Sequence, residues 1–232
     1  MKGFTAKEFL LKVFDTNEEI FRTMTEFTDE EKDIYNKKLE RLKYLHKSNR
    51  KVSTKEKGNA LEELVVYLFN KSAVFEVLEN IHTSTNEIDQ IITLNSKGRF
   101  FREQGILDLK FDTFLAECKN YNKKIGVTWV GKFWSLLNSS CTTLGIMFSY
   151  HGLTGSGWRD SVGLTKKIYT AKENPREKIH IIDINITDFE KISEGTSLLN
   201  LIFAKINALK LETDFNKFLS KHPCETKNKK LT

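Results

Sequence analysis

Proline is nearly absent. Pro175 and Pro223 are the only two in 232 residues, which argues against a long extended linker. Cysteine is scarce too: Cys118, Cys141 and Cys224, an odd number with no Cys-x-x-Cys. That pattern excludes a disulfide framework and, with no secretory leader visible, leads to the expectation of a reducing cytoplasm. The histidines His46, His82, His151, His180 and His222 stand singly and offer no zinc spacing. No apolar run reaches the ~18 residues that cross a bilayer. Leu198–Leu211 comes closest, but Lys205 and Lys210 interrupt it at amphipathic spacing, so no membrane association by a span is expected. The glycine-rich stretch His151-Gly152-Leu153-Thr154-Gly155-Ser156-Gly157 lacks the Gly-Lys-Ser/Thr ending of a phosphate-binding P-loop and reads as a structural turn. No internal repeat is visible.

What is present is the composition of a globular core. Hydrophobic residues make up 39% of the chain and charged residues 29%, a balance that supports a folded, water-exposed domain. The net charge of +6 favours an acidic partner, with nucleic acid first and a membrane surface second.

Residues 1–50 read as helical. Thr5-Ala6-Lys7-Glu8 and Thr28-Asp29-Glu30-Glu31 are capping boxes, and Ser53-Thr54-Lys55-Glu56 is a third. Ile34, Tyr35, Leu39, Leu42 and Leu45 form one stripe of the second helix. The polar stretch His46–Lys57 reads as a hinge that makes this part a helical appendage, with DNA, a partner subunit or the core itself as the surface it binds. The third helix carries Leu61, Leu64, Val65, Leu68 and Phe69 on one face. Glu62 lies on the boundary of that stripe and Glu63 on its solvent side, while Gly58 one turn earlier permits close approach.

Strands follow at Val74–Ile81, Glu87–Leu94 and Thr113–Cys118, with a turn at Ser84–Asn86. Asn95-Ser96-Lys97-Gly98 reads as a turn, and Arg99–Phe111 is ambiguous, a strand with an irregular loop at Glu103-Gln104-Gly105 being one reading of it. Val127, Val130, Trp134, Leu137 and Cys141 recur at helical spacing. Leu144–Phe148 is a short apolar run of the kind found in a central strand. A helix from Trp158 to Ala171, a strand at Lys178–Ile184, and helices at Thr187–Ser193 and Leu198–Leu211 complete the order, before a lysine-rich tail. Short turns make the first three strands antiparallel, and the later ones alternate with helices. The expected fold is therefore α/β, a mixed sheet flanked by helices on both faces.

One stretch concentrates chemistry. Residues two apart in a strand share a face, so Glu117 and Lys119 leave one surface together and Cys118 points to the opposite, core side as a small hydrophobe. If Glu87–Leu94 pairs with Thr113–Cys118, Asp89 reaches the same surface. Two carboxylates and an ammonium there suit a divalent metal beside a phosphodiester. Glu-x-Lys alone is a weak signal, since Glu30-x-Lys32 and Glu225-x-Lys227 also occur. The plain alternative is a surface ion pair worth ~0–1 kcal/mol. Lys123 and Lys124 flank the site. Arg159, Lys166 and Lys167 fit phosphate contacts or a solvated helix face equally well. Trp129, Trp134 and Trp158 read as core or interface residues.

The order Gly58-x-x-Leu61-Glu62, Glu87-Ile88-Asp89, Glu117-Cys118-Lys119 resembles the PD-(D/E)xK nuclease superfamily, and within it the Mrr-type restriction endonuclease domain. Gly145–Tyr150 followed by Gly152–Gly155, and Leu198–Leu201 after Glu194-Gly195, are similar to that group as well. The resemblance spans residues 53–211 and implies a restriction-endonuclease-like core over 51–212, with residues 1–50 as the appendage and 213–232 as a tail. It implies Asp89 and Glu117 as metal-binding acids, the Cys118 carbonyl as a further ligand, Lys119 beside the attacking water, and Glu62 as a supporting acid. It also implies Mg²⁺, with Mn²⁺ as a substitute. Glu87-Ile88-Asp89 departs from the Pro-Asp or Gly-Ile-Asp common in the family, and Glu117 stands where many Mrr relatives carry Gln. The Gln or Ser of the family's next helix has only Asn122 or Thr128 as counterpart.

The function expected is a metal-dependent DNA endonuclease of restriction, defence or DNA processing, acting as a homodimer where both strands are cut. Lys123, Lys124, Arg159 and Lys166 are the nucleic-acid contacts assigned to it. The alternative is a non-catalytic nucleic-acid-binding module on the same fold.

Overall fold

The computed structural model describes residues 5–47, 52–82 and 87–219. The expected turn at 84–86, the middle of the expected hinge and the lysine-rich tail lie outside them. Among the described residues, eight α-helices and five strands follow in chain order: α1 (Ala6–Thr25), α2 (Asp29–Lys47), α3 (Thr54–Lys71), β1 (Phe75–His82), β2 (Glu87–Leu94), α4 (Ser96–Glu103), β3 (Thr113–Cys118), α5 (Val127–Ser139), β4 (Leu144–Phe148), α6 (Asp160–Thr170), β5 (His180–Ile184), α7 (Ile186–Ser193) and α8 (Leu198–Leu211). The first three helices begin where the capping residues stand. Thr5 and Glu8 exchange both bonds of a capping box, as do Thr28 and Glu31, and the Ser53 hydroxyl accepts from the Glu56 N–H.

The sheet order is β1-β2-β3-β4-β5. β1, β2 and β3 are antiparallel neighbours, and β3, β4 and β5 are parallel. Alternation along β3 divides the interior in two. Phe114, Ala116 and Cys118 face a large core shared with α2, α3, α7 and α8, whose centre holds Phe69, Phe148 and Phe189. Leu115 faces a smaller core with Val130, Phe133 and Leu137 of α5 and Ile168 of α6. α5 lies so close on β4 that a Cβ at Gly145 would stand 2.6 Å from the Phe133 ring. All five residues of β4 are buried, as expected of a central parallel strand.

The structure sharpens or departs from the sequence expectation in places. Asn95–Phe111 contains no strand. Asn95 is the N-cap of α4, its side chain accepting from the Lys97 and Gly98 N–H groups, and a 3-10 turn at Leu109–Phe111 follows. The polar residues that read as a turn are thus a helix start. Of the two seats expected for Trp134 and Trp158, core or interface, their exposure of 42% and 47% removes the core.

Helix α2 is built into the main core. Tyr35, Leu39, Leu42 and Leu45 are buried in it, and the Tyr35 hydroxyl donates to the Phe189 carbonyl of α7 at 2.8 Å. Both ends of the expected hinge are helical: His46 and Lys47 end α2, and Thr54 begins α3. Among the described residues, no helix is long and apolar enough to cross a membrane.

Candidate active site

The β2–β3 ladder runs from Thr93–Thr113 to Gln90–Ala116. At its end Asp89 uses a side chain in place of a backbone acceptor: Oδ2 accepts from the Cys118 N–H at 3.0 Å. On the other flank of β3 the Lys119 N–H donates to the Phe148 carbonyl of β4 at 2.8 Å. The end of β3 is therefore fixed from both sides, and pleating sends Glu117 and Lys119 out on the α5 face.

Three charges meet there. Lys119 Nζ lies 2.6 Å from Glu117 Oε1 and 3.2 Å from Asp89 Oδ2, with side chains 16%, 13% and 23% exposed respectively. Trp129, in the first turn of α5, presents its ring 5.3 Å from the same nitrogen, and Tyr121 leans on that ring at 5.8 Å. The indole face is a favourable neighbour for a cation. Sequence reading placed the acids and the lysine together, and the structure brings them together. It missed Trp129, which a position ten residues past Lys119 at the start of an amphipathic helix does not advertise.

The electrostatics follow from crowding. Burial opposes the charge on Lys119, but Glu117 and Asp89 outweigh it and hold the amine above its ordinary pKa, so it is cationic at neutral pH. Glu62, half-buried on α3, titrates above the usual carboxylate range, first from burial and then from the charge of Asp89. Lys119 draws it the other way and Glu79 of β1 adds to the rise. Glu62 thus shares the field of the trio. Cys118 is buried in the main core, and its thiol is pushed well up by burial and then by Asp89, which leaves it inert as a nucleophile.

Other assigned residues stand further out. Lys123 and Lys124 are exposed on the loop leaving β3. Arg159 precedes α6, and Lys166 lies over the Trp158 ring at 5.5 Å. Among the described residues, no contact joins Arg159 or Lys166 to the trio. Nor do three His, Cys, Asp or Glu side chains there form a group that could hold a metal. The donor set for a cation is two carboxylates engaged by one ammonium, with Glu62 near. Three acids against one ammonium leave an excess of negative charge on hard oxygen atoms, the chemistry Mg²⁺ or Mn²⁺ takes.

No protein family, no curated protein and no solved structure matches this chain.

Proposed function

We propose that this protein is a divalent-metal-dependent endonuclease acting on DNA, on a restriction-endonuclease-like core. The observation that carries this reading is the shared contact of Lys119 with Glu117 and Asp89 at the point where the β2–β3 ladder stops. The PD-(D/E)xK order of the residues and the net charge of +6 support it.

Asp89 and Glu117 would hold the ion, with the Cys118 carbonyl as a further oxygen donor. A divalent ion there supplies Lewis acidity toward the phosphate and lowers the pKa of a bound water. Lys119, held cationic by its acidic neighbours, stabilises negative charge as it builds on the phosphate and orients the water rather than acting as a base. Trp129 confines that ammonium. Glu62, sharing the field of Asp89, supports the ion. Lys123 and Lys124 place charge where the DNA backbone would pass. Cutting both strands needs two such sites, so a homodimer belongs to the proposal.

The test is digestion of supercoiled plasmid with Mg²⁺, Mn²⁺ or EDTA. Metal-dependent cutting by the wild type, lost in Asp89→Asn and Lys119→Met, is the expected outcome. Cutting that survives both substitutions would sink the assignment. A second reading rests on the same ion pairs: Lys119 already neutralises part of both carboxylates, as in a structural cluster. It makes the protein a nucleic-acid-binding module, which would retain DNA in EDTA and never cut it.

A further inference from the structure

Directly past Lys119 the exit loop of β3 meets α2, α3 and the end of β4. Asn120 is buried, and its Nδ2 donates to the Lys57 carbonyl. Its Oδ1 is therefore the atom 2.7 Å from His46 Nε2, and an oxygen only accepts, so His46 carries its hydrogen on Nε2. The His46 ring lies flat on Tyr150, with centroids 3.8 Å apart and planes 8° from parallel. His151 stands edge-on to both rings, at 5.4 Å and 4.9 Å. Lys57, only 8% exposed, donates from Nζ to Asn122 Oδ1 at 2.7 Å.

The charges acting on His151 are those of Lys57 and Lys124, and those acting on His46 are Lys57 and His151. All are cationic. Glu40, Glu190 and Lys43 act on Tyr150, from the α2 and α7 side of the stack. Charge of one sign gathered on a rigid, partly buried floor is an attractor for an anion. Asn120 follows Lys119 in the chain, and a strand residue rises only about 3.3 Å, so this cluster and the acidic site share one end of the sheet.

We propose that His151, Lys57 and Lys124 form a phosphate subsite beside the Asp89–Glu117–Lys119 site, gripping a backbone phosphate next to the scissile one, with His46 and Tyr150 as its floor. The subsite rests on the nuclease reading for its substrate. His151 gives a directional hydrogen bond, which becomes charge-assisted when the phosphate favours the imidazolium. The lysines act as point charges.

Binding of a fluorescent DNA duplex in EDTA, followed by anisotropy at stepped salt concentrations, separates this from catalysis. Lys124 and Lys97 are both exposed, and Lys97 on α4 sits at the opposite end of the sheet, so Lys97→Gln is the control. His151→Gln and Lys124→Gln should each weaken binding about five- to tenfold, with the salt slope shallower by roughly 0.9 in Lys124→Gln. Lys97→Gln should bind as the wild type does. In proton NMR, duplex should move the His151 ring titration to higher pH. The same movement with inorganic phosphate alone would show that the subsite reads the phosphate group, and movement with duplex only that it needs the polymer. Both support it. Variants that bind like Lys97→Gln with His151 unmoved, or a wild type that binds no duplex, would overturn it. Plasmid left uncut while the binding losses stand would refute the nuclease and keep the subsite. Metal-dependent cutting with full-strength binding in both variants would do the reverse.

Discussion

Replacing Asp89 by alanine removes one oxygen that serves two donors. Oδ2 accepts from the Cys118 N–H at 3.0 Å and from Lys119 at 3.2 Å. Cys118 is 7% exposed, so water makes a poor substitute for the lost acceptor. A buried donor left unsatisfied costs about 1–3 kcal/mol. Against this, alanine relieves the repulsion that Asp89 exerts on Glu62. The net loss should fall at about 1–2 kcal/mol. At about 2–4 °C per kcal/mol for a chain of this size, the midpoint should drop by roughly 2–8 °C. Asp89→Asn keeps an oxygen for the Cys118 N–H and should lie nearer the wild type, although it surrenders the charge a metal needs. Thermal unfolding in EDTA tests both variants without a metal contribution. Alanine that unfolds like the wild type, or asparagine that is as damaging as alanine, would refute the reasoning that this side chain completes the sheet.

Three further outcomes follow from buried groups. Lys205 Nζ lies 2.6 Å from Asp188 Oδ2 with side chains 9% and 1% exposed, so Lys205→Met should cost about 3–5 kcal/mol by leaving a buried carboxylate uncompensated. A urea midpoint close to the wild type's would contradict this. Tyr35→Phe should cost about 1–3 kcal/mol, because it strips a donor from the buried Phe189 carbonyl. Unchanged unfolding there would mean that α2 is not bound into the core. His180, 4% exposed, is held by burial at a pKa of about 4 against an ordinary 6.5, so the unfolded chain takes the proton first. Its contribution is intact above pH 6.5 and falls away toward pH 4, by at most about 3 kcal/mol. The acid limb of the stability curve should flatten in His180→Leu, and identical limbs would refute the assignment.

Much of the site was legible because strands have period two. Glu117 and Lys119 could be put on one face from spacing alone, and the expected antiparallel pairing of β2 with β3 brought Asp89 to them. The fully apolar Leu144–Phe148 marked a central strand, and three capping sequences marked three helix starts. What escaped reading depends on contacts that leave no local trace. Asn95-Ser96-Lys97-Gly98 has turn composition, yet Asn95 caps a helix, and a Cβ at Gly98 would stand 2.3 Å from the Val74 carbonyl. Polar residues after Leu45 left open whether the N-terminal helices bind DNA, a partner subunit or the core, and Tyr35 reaches a core carbonyl 154 positions away. Lys205 looked like the solvent face of an amphipathic helix and is instead buried on Asp188. His46 and Asn120 are ordinary residues until the fold sets them 2.7 Å apart.

We propose the two carboxylates gathered on Lys119 as a divalent-cation site. Calorimetric titration of Mn²⁺ into the wild type, Asp89→Asn and Glu117→Gln tests it most directly. The expected result is saturable binding to the wild type that is lost or strongly weakened in both variants. No binding to the wild type, or equal binding to all three proteins, would contradict it.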